Sequence, residues 1–275
     1  MRIPDWMVYT VVLVGVVYAL LSSSKVVNAP LAPPPPNENI GVVLPEPSMF
    51  DQEILVEMDV DMGASTGTAF AVGPKGNWIT ARHVVEGCDD LAIAIPPSKM
   101  VNVTSTTIWD RGDLALLKTD GGPESVRLDL GSELRVGQEG YHVGYPQAKP
   151  GEVTSKLLSR ARLTTRGSYQ TSEPVLVWAE AGRTRGITGS LGGISGGPIF
   201  DADGEVIGVT VAESPRRGRI YTTAPKSLSE FLPDDLEYNS GGKSRFALNT
   251  QNYGEEADRL RRVYTVVPVV CRSRN

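Results

Sequence analysis

The sequence predicts an all-β fold of two six-stranded antiparallel β-barrels, with an active site between them and a transmembrane helix at the N-terminus. The chain has 275 residues, and its 29 glycines and 20 prolines indicate many turns. Short β-branched segments recur at near-regular spacing in two sets of about six, as expected for a pair of small barrels. A long apolar segment without charge precedes both sets.

The apolar segment Trp6–Ser24 is 19 residues long and carries no charge. As a helix it would measure about 28 Å, close to the hydrocarbon thickness of a bilayer. A cleaved signal peptide is the alternative, although its apolar region is usually shorter. Arg2 and the N-terminal amine precede the segment and Lys25 follows it, so the bulk of the chain is expected to face outward. Residues 1–25 are therefore predicted to anchor the chain in the inner membrane of a bacterium, with the remainder in the periplasm.

A proline-rich linker, residues 26–46, is expected after the anchor. Its run Pro33–Pro36 cannot enter a helix or the middle of a sheet, and it is typical of an extended spacer. The folded domain is predicted over residues 47–232, and a C-terminal extension over residues 233–275.

The strands of the domain are predicted from alternation and from turn residues. Glu53–Asp61 alternates, with Val56 on the apolar face and Glu57 on the polar face, as in a half-buried strand. A short helix is expected over Ser227–Leu232. The other predicted strands are short, β-branched and bounded by turn residues: Thr68–Val72, Trp78–Ala81, Leu91–Ile95, Val101–Ile108, Leu114–Lys118, Gly140–Val143, Leu157–Thr164, Val175–Ala179, Val206–Val211 and Ile220–Thr223.

Composition excludes several classes of function. A net charge of −5 gives no electrostatic reason to expect nucleic acid binding. The two cysteines, Cys88 and Cys271, provide neither a disulfide framework nor a zinc site. No metal and no cofactor are therefore expected. The two histidines, His83 and His142, are the only candidates for histidine-dependent chemistry.

Four glycines surround a single serine, Ser195, in the segment Gly192–Pro198. Glycine buries no side chain and costs backbone entropy, so packing does not explain the pattern. A tight turn that exposes the serine explains it better, because the amides of Gly193 and Ser195 could then converge on a developing oxyanion. An ordinary glycine-rich loop is the alternative interpretation.

A serine hydroxyl is a weak nucleophile and needs an adjacent base, which in turn needs a carboxylate to orient it. His83 lies at the end of a predicted strand and is the better candidate base, whereas His142 is expected to be packed or solvated. Asp113 opens an apolar strand, so its carboxylate could be buried beside the core. Asp110 competes for the same role but lies further from that apolar segment.

These motifs together resemble the HtrA/Deg branch of the trypsin-like serine peptidases. Their order of His, Asp and Ser is the chymotrypsin type, and the resemblance covers about residues 50–232. It implies two chymotrypsin-like barrels, with Ser195 as nucleophile, His83 as general acid and base, Asp113 as orienting carboxylate, and Gly193 and Ser195 as oxyanion-hole amides. The segments that carry the resemblance are Gly67–Phe70, Ile79–Val85, Asp113–Leu117, Gly144–Pro146, Gly193–Pro198 and Asp203–Val209.

One departure concerns activation. Ile194 occupies a position where digestive relatives carry an aspartate that pairs with a new N-terminus, so activation of that type is not expected. Ile194 could pack inward and hold the loop, or the loop could switch between ordered and disordered forms. Cys88 lies five residues after His83, where many extracellular relatives carry a disulfide partner. Pairing with Cys271 and two free cysteines are both open at this stage.

A second departure concerns specificity. Gly189 stands where trypsin-like relatives carry the acid that selects Lys or Arg, and a basic side chain would be buried there unpaired. The pocket strand is expected to be Thr210, Val211 and Ala212, which predicts cleavage after small or medium apolar residues. Glu213 lies nearby and could alter this preference.

The HtrA branch usually carries PDZ domains after the protease, and the residues after Phe231 are too few for one. The C-terminal extension instead predicts a charged helix around Glu255–Arg262, whose arginines are expected to form a solvated face. Val266–Val270 could add a strand to the domain or to a partner. The resemblance also suggests a homo-oligomer, commonly a trimer.

The sequence therefore predicts a membrane-anchored serine endopeptidase that works through an acyl-enzyme, in periplasmic proteolysis or protein quality control. Its expected partners are protein or peptide substrates and the membrane. A catalytically silent peptide-binding module is the first alternative, and a serine esterase on the same fold is the second.

Overall fold

A computed structural model of the chain describes residues 13–14, 41–58, 65–73, 75–95, 98–240 and 246–272. The predicted anchor, Trp6–Ser24, lies outside the described residues except for Leu13 and Val14, as does most of the predicted linker. Among the described residues, no helix combines the length and the apolar character that crossing a bilayer requires.

From residue 41 onward, the described part of the chain contains sixteen strands, three short α-helices and two 3-10 turns, Pro146–Ala148 and Pro215–Arg217. The strands are β1 (Glu53–Met58), β2 (Ser65–Ala71), β3 (Asn77–Thr80), β4 (Asp90–Ile95), β5 (Lys99–Asn102), β6 (Ser105–Ile108), β7 (Ala115–Lys118), β8 (Arg127–Leu128), β9 (Glu139–Gly144), β10 (Gly151–Gly167), β11 (Thr171–Arg183), β12 (Pro198–Phe200), β13 (Val206–Ser214), β14 (Arg219–Thr223), β15 (Asn239–Ser240) and β16 (Val266–Arg272). The helices are α1 (Arg82–Val85), α2 (Pro225–Phe231) and α3 (Tyr253–Arg262).

The first sheet has seven strands in the order β5-β4-β16-β2-β3-β7-β6, which corrects the prediction of six. The additional strand is β16, which pairs antiparallel with β2 and with β4. Val266, Val267 and Val269 of this strand are fully buried, because it lies between two strands and not at an edge. The strand predicted around Val266–Val270 therefore joins the first sheet of its own chain.

The second sheet contains the closed six-stranded barrel that the sequence predicts. Its ring runs β9-β10-β11-β14-β13-β12 and closes because β12 pairs with both β13 and β9. Two short strands, β8 and β15, extend the sheet beside β13.

Two strands differ from their predicted form. The strand expected over Glu53–Asp61 is β1, which pairs parallel with β10 of the second sheet, and residues 59–61 lie outside the described residues. The strand expected over Val101–Ile108 is divided into β5 and β6. The division arises because Val103 N–H donates to Leu91 O of β4 whereas Thr104 N–H donates to Lys118 O of β7, so the chain changes partners between them.

The β10–β11 hairpin is much longer than the segments Leu157–Thr164 and Val175–Ala179 that predict it. The two strands span 17 and 13 residues and stay paired up to Thr165 and Thr171. Backbone pairing continues through charged positions that interrupt the apolar pattern, so the pattern alone underestimates the strand length. The tip of this hairpin contains Tyr169, which is buried.

The core between the two sheets joins the N-terminal and C-terminal halves of the chain. One buried apolar cluster includes Phe70 of β2, Tyr141 of β9, Phe200 of β12, Leu260 of α3 and Val266 of β16. A disulfide joins Cys88, after α1, to Cys271 of β16, and this settles the pairing that the sequence left open. In the chain-entropy model, a disulfide that closes so long a loop stabilises the fold by about 5 kcal/mol.

Candidate active site

His83 and Asp113 meet at the end of the first sheet. The Nδ1 atom of His83 lies 2.6 Å from Oδ2 of Asp113, and the His83 backbone N–H donates to Oδ1 at 2.9 Å. Asp113 is fully buried, whereas the His83 side chain is 24% exposed. Burial lowers the pKa of His83, but the charge of Asp113 and its hydrogen bond raise it by more. The net pKa therefore lies above the usual 6.5.

Two residues of the β10–β11 hairpin complete the surroundings of Asp113. The Tyr169 hydroxyl donates to Asp113 Oδ1 at 2.9 Å, and the Asp113 backbone N–H donates to Glu173 Oε1 at 2.7 Å. Sequence analysis missed both residues. They lie 56 and 60 residues from Asp113, in a segment without a motif, and no local signal marks them.

Ser195 and α1 both approach β2 at Gly67. A Cβ atom placed on Gly67 would lie 2.5 Å from Val84 Cγ1, next to His83, and 3.1 Å from the carbonyl oxygen of Ser195. The backbone N–H of Thr68 donates to that same oxygen at 2.8 Å. Glycine at position 67 therefore lets the helix of His83 and the loop of Ser195 approach the same strand closely.

The residue after the serine packs against the residues before the histidine. Gly196 has a φ of +84°, and a Cβ there would lie 2.8 Å from the backbone nitrogen of Ala81. Within the described part of the chain, however, the Ser195 hydroxyl makes no hydrogen bond to the His83 ring. The described residues therefore include the His83–Asp113 hydrogen bond but no Ser195–His83 hydrogen bond. Catalytic hydrogen bonds of this kind are often long when no substrate is bound.

Two amides of the glycine-rich loop are available to a ligand. Ile194 N–H donates to Leu191 O at 2.9 Å and Gly196 N–H donates to Thr210 O at 2.8 Å. The N–H groups of Gly193 and Ser195, in contrast, donate to no acceptor among the described residues. Gly193 has a φ of +99°, which glycine adopts without strain. The arrangement leaves two donors free where an oxyanion hole is expected.

Ile194 and Gln147 hold this loop from two sides. Ile194 is 2% exposed and packs in an apolar cluster, so the interpretation that it packs inward is the one the structure supports. The Gln147 backbone N–H donates to Gly192 O at 2.6 Å, and its side-chain amide donates to Thr188 O at 2.7 Å and Ser190 O at 2.8 Å. Gln147 has a φ of +55°, a strained conformation for a residue with a side chain, as is common at functional sites.

The four predicted pocket residues lie close to this loop. Thr210 and Val211 are buried on β13, and Ala212 is half-buried beside them. Gly189 is exposed, has a φ of +72° and accepts a hydrogen bond from Arg183 Nη1 at 2.8 Å. Thr210 contacts the glycine-rich loop directly, because its N–H donates to Gly197 O at 2.9 Å.

Glu213, the acid that could alter specificity, is bonded to the loop before the serine. Its Oε1 atom accepts hydrogen bonds from Ser190 Oγ at 2.5 Å and from Leu191 N–H at 2.7 Å. One oxygen of the Glu213 carboxylate is therefore hydrogen-bonded within the protein.

The two competing candidates lie outside this arrangement. His142 is fully buried, with Nδ1 3.1 Å from Thr210 Oγ1 and Nε2 2.8 Å from Ser155 Oγ. Burial lowers its pKa to about 3, so it stays neutral and acts as a core residue. Asp110 is exposed and, among the described contacts, has none with His83.

One group of carboxylates has the spacing of metal ligands, and it lies elsewhere in the second sheet. Single oxygen atoms of Asp129, Asp201 and Glu205 come within 4.8 Å of one another. All three residues are partly exposed, and Glu205 already pairs with Arg127 at 3.1 Å. Exposed acidic groups of this kind are common without a metal.

Comparison with known proteins identifies the family. The model of the trypsin-like peptidase domain matches residues 67–209, just over half of the chain. Two curated relatives carry the name "Probable periplasmic serine endoprotease DegP-like". The one from Halomonas elongata is 29% identical over 186 residues, which is 66% of this chain and 37% of the relative. The one from Bartonella henselae is 30% identical over 158 residues, which is 56% of this chain and 29% of the relative. The matched region thus spans about a third of these relatives.

A solved structure supports the fold independently. The Rv3671c protease from M. tuberculosis, in its active form, matches with a TM-score of 0.52 at 16% identity, over 73% of this chain and 97% of that chain. At this identity the similarity concerns the fold alone. The family match over residues 67–209 shows that the chain belongs to the trypsin-like peptidase family, as the sequence predicts.

Proposed function

We propose that this chain is a serine endopeptidase that cleaves peptide bonds through an acyl-enzyme. Ser195 would act as nucleophile, His83 as general base and acid, and Asp113 as the carboxylate that orients His83. The observation that carries the proposal is the fully buried Asp113 bonded to Nδ1 of His83, with Ser195 and the His83 helix both packed against Gly67.

The geometry supports a complete acyl-transfer cycle. The Ser195 hydroxyl attacks the peptide carbonyl while Nε2 of His83 takes its proton, and Asp113 stabilises the resulting imidazolium. The negative oxygen of the tetrahedral intermediate accepts from the N–H groups of Gly193 and Ser195, which are already free. His83 then gives the proton to the leaving amine. A water molecule, deprotonated by His83, attacks the acyl-enzyme, and His83 returns that proton to Ser195 as the acid product leaves.

We propose a pocket for a small or medium apolar side chain, formed by Gly189, Thr210, Val211 and Ala212. Gly189 provides no charge, and the Glu213 carboxylate is already bonded to Ser190 and Leu191. A basic substrate side chain would therefore meet no charge at position 189, and burying it there unpaired would cost several kcal/mol.

The proposed setting is the periplasm, with residues 6–24 as a membrane anchor and residues 47–232 as the protease domain, to whose first sheet β16 adds a strand. The names of the DegP-like relatives support a periplasmic site, and the Cys88–Cys271 disulfide is typical of an oxidising compartment. Protein or peptide substrates, a role in proteolysis or quality control, and a trimeric assembly are part of the same proposal and rest on family resemblance.

Fluorophosphonate labelling of the full-length chain tests the triad. Labelling should be absent in Ser195→Ala and should fall by roughly a thousandfold or more in His83→Ala and Asp113→Asn. Asp110→Asn is the matched control, because that residue is exposed and outside the site, and it should label like the wild type. Folded wild-type protein that does not label would contradict the proposal, and turnover of esters without peptides would favour the esterase alternative.

A further inference from the structure

The β10–β11 hairpin belongs to the second sheet, and its tip contacts Asp113, which lies just before β7 of the first sheet. Tyr169 donates its hydroxyl to Asp113 Oδ1 at 2.9 Å, and Glu173 accepts the Asp113 backbone N–H at 2.7 Å. These two contacts hold both the side chain and the backbone of the same aspartate.

The contacts are tightly enclosed. Glu173 is 1% exposed and Tyr169 is also buried. A Cβ atom placed on Gly112 would lie 2.5 Å from the Trp109 ring and 2.8 Å from the carboxyl carbon of Glu173. The guanidinium of Arg82 lies 3.9 Å from the centre of the Tyr169 ring, on the side of α1. Both side chains are therefore packed against neighbours that restrict their movement.

The two oxygens of Asp113 have different donors. Oδ1 accepts from the His83 backbone N–H and from the Tyr169 hydroxyl, and Oδ2 accepts from Nδ1 of His83. Two donors on Oδ1 fix the plane of the carboxylate. Oδ2 is thereby directed at the imidazole, which is the orientation that general-base catalysis requires.

Glu173 places a second carboxyl group beside Asp113, and its charge state matters. Its Oε2 atom is buried without a hydrogen-bond partner. Burial raises the pKa of Glu173 to about 8; the Asp113 N–H opposes this shift and the negative charge of Asp113 adds to it. Glu173 is therefore protonated and neutral at neutral pH, which avoids two adjacent buried charges.

We infer that Tyr169 and Glu173 are positioning residues for Asp113, and that Glu173 serves this role in its protonated form. The inference rests on the proposed function. Ionisation of Glu173 at alkaline pH would put a second negative charge against Asp113 and disturb the His–Asp pair. Among the described residues, the other titratable and charged groups that face this region are the Tyr169 hydroxyl, His83 and Arg82 on α1, and Glu86 just after it, which pairs with Arg82 at 2.5 Å.

The test is the pH dependence of kcat and KM for peptide hydrolysis by the full-length chain, from about pH 5 to about pH 10. Glu173→Gln keeps an acceptor for the Asp113 N–H but cannot ionise. It should retain kcat at neutral pH within about twofold, and its alkaline limb should lie at least about one pH unit higher than that of the wild type. Glu173→Leu lacks the acceptor, and its kcat should fall by about tenfold or more with KM nearly unchanged.

Tyr169→Phe removes a single oxygen atom and should fold even if changes at Glu173 do not. Its kcat should fall by about tenfold with little change in KM. Gln170→Ala is the matched control, because this neighbour at the hairpin tip is exposed, and it should behave like the wild type throughout.

The outcomes separate this inference from the proposed function. Wild-type turnover that is lost in Ser195→Ala supports the peptidase, whatever the hairpin variants do. The inference is overturned if folded Glu173→Gln and Glu173→Leu share the wild-type pH profile, or if Tyr169→Phe has wild-type kcat. If the wild type shows no turnover, the inference is tested by the midpoint of the His83 titration in proton NMR. That midpoint should shift in Tyr169→Phe and Glu173→Leu but not in Gln170→Ala. An unchanged midpoint in the first two variants overturns the inference.

Discussion

At the scale of single residues, burial gives the two histidines opposite properties. His142 is enclosed by hydroxyl groups without a charged partner, and its pKa falls to about 3. Burial also lowers the pKa of His83, but the adjacent Asp113 carboxylate outweighs it and the net pKa rises above 6.5. His83 therefore stabilises the folded state fully below its unfolded pKa, and this contribution is lost as the pH rises through its folded pKa.

Proton NMR of the two imidazoles checks this contrast. Only one histidine should titrate between about pH 4.5 and about pH 9, with a midpoint above the unperturbed value of about 6.5. Asp113→Asn should lower that midpoint because it removes the charge that raises it, whereas Asp110→Asn should leave it unchanged. The acid limb of kcat/KM should follow the same midpoint. Two titrating histidines in this range would contradict the assignment of His142 to the core.

Gln147 hydrogen-bonds three carbonyls in the segment just before Ser195. Its side chain donates to two carbonyls of that segment, Thr188 O and Ser190 O, and its backbone to Gly192 O. Holding the Gly192 carbonyl in this way leaves the following N–H, that of Gly193, free for an oxyanion. The loop needs no ion pair at Ile194 for this, because buried packing and these three hydrogen bonds already hold it.

Gln147→Ala should therefore weaken transition-state binding more than substrate binding. We expect kcat to fall by about tenfold, with KM within about twofold, because two loop carbonyls lose their donor. The affinity for a peptide boronate, which places an oxygen in the same hole, should fall by the same factor as kcat. Lys149→Ala, an exposed residue in the same turn, is the control. An unchanged boronate affinity in folded Gln147→Ala would rule out this role.

At the scale of elements, helix α3 is attached to the second barrel by a buried ion pair. Arg261 Nη2 lies 2.5 Å from Glu152 Oε1 at the start of β10, and Arg261 Nη2 also donates to Gly151 O at 2.9 Å. Arg261 is 6% exposed, so the expectation of a solvated arginine face is wrong for this residue. Arg259 is 39% exposed and fits that expectation.

Arg261→Ala should destabilise the fold by about 3–5 kcal/mol, because it leaves the buried Glu152 without its partner. Arg259→Ala is the matched control on the same helix, and its exposed ion pair should contribute less than about 1 kcal/mol. Urea unfolding followed by circular dichroism measures both values. Equal effects of the two substitutions would show that the buried pair does not attach the helix.

At the scale of the whole molecule, the C-terminal strand β16 contacts several segments that carry the candidate site. β16 pairs with β2, and β2 bonds the carbonyl oxygen of Ser195 through Thr68. The Tyr145 hydroxyl donates to Val266 O at 3.3 Å, which links β16 to the segment before Gln147. The Cys88–Cys271 disulfide ties the end of β16 to the chain just after the helix of His83. Residues that are distant in sequence thus hold the segments of Ser195 and His83 together.

The sequence by itself determined the parts of this protein that local pattern encodes. His83 is a candidate because it follows a predicted strand, Asp113 because it opens an apolar strand, and Ser195 because four glycines surround it. β-branched composition and turn residues predict five of the six strands of the second barrel, but not β12, which closes it. A charged segment also predicts a helix around Glu255–Arg262, within α3. These signals depend on neighbours within a few residues, and a single sequence displays them directly.

Tertiary structure alone decided which distant residues surround the candidates. Tyr169 and Glu173 reach Asp113 only because backbone pairing extends the β10–β11 hairpin past its apolar core. Val266–Val270 has the composition of a strand, but composition cannot choose between an edge of its own domain and that of a partner. The same holds for the pairing of Cys88 with Cys271 across 183 residues. Contacts of this kind have no period along the chain, because they arise from the closure of the two sheets and not from local backbone preference.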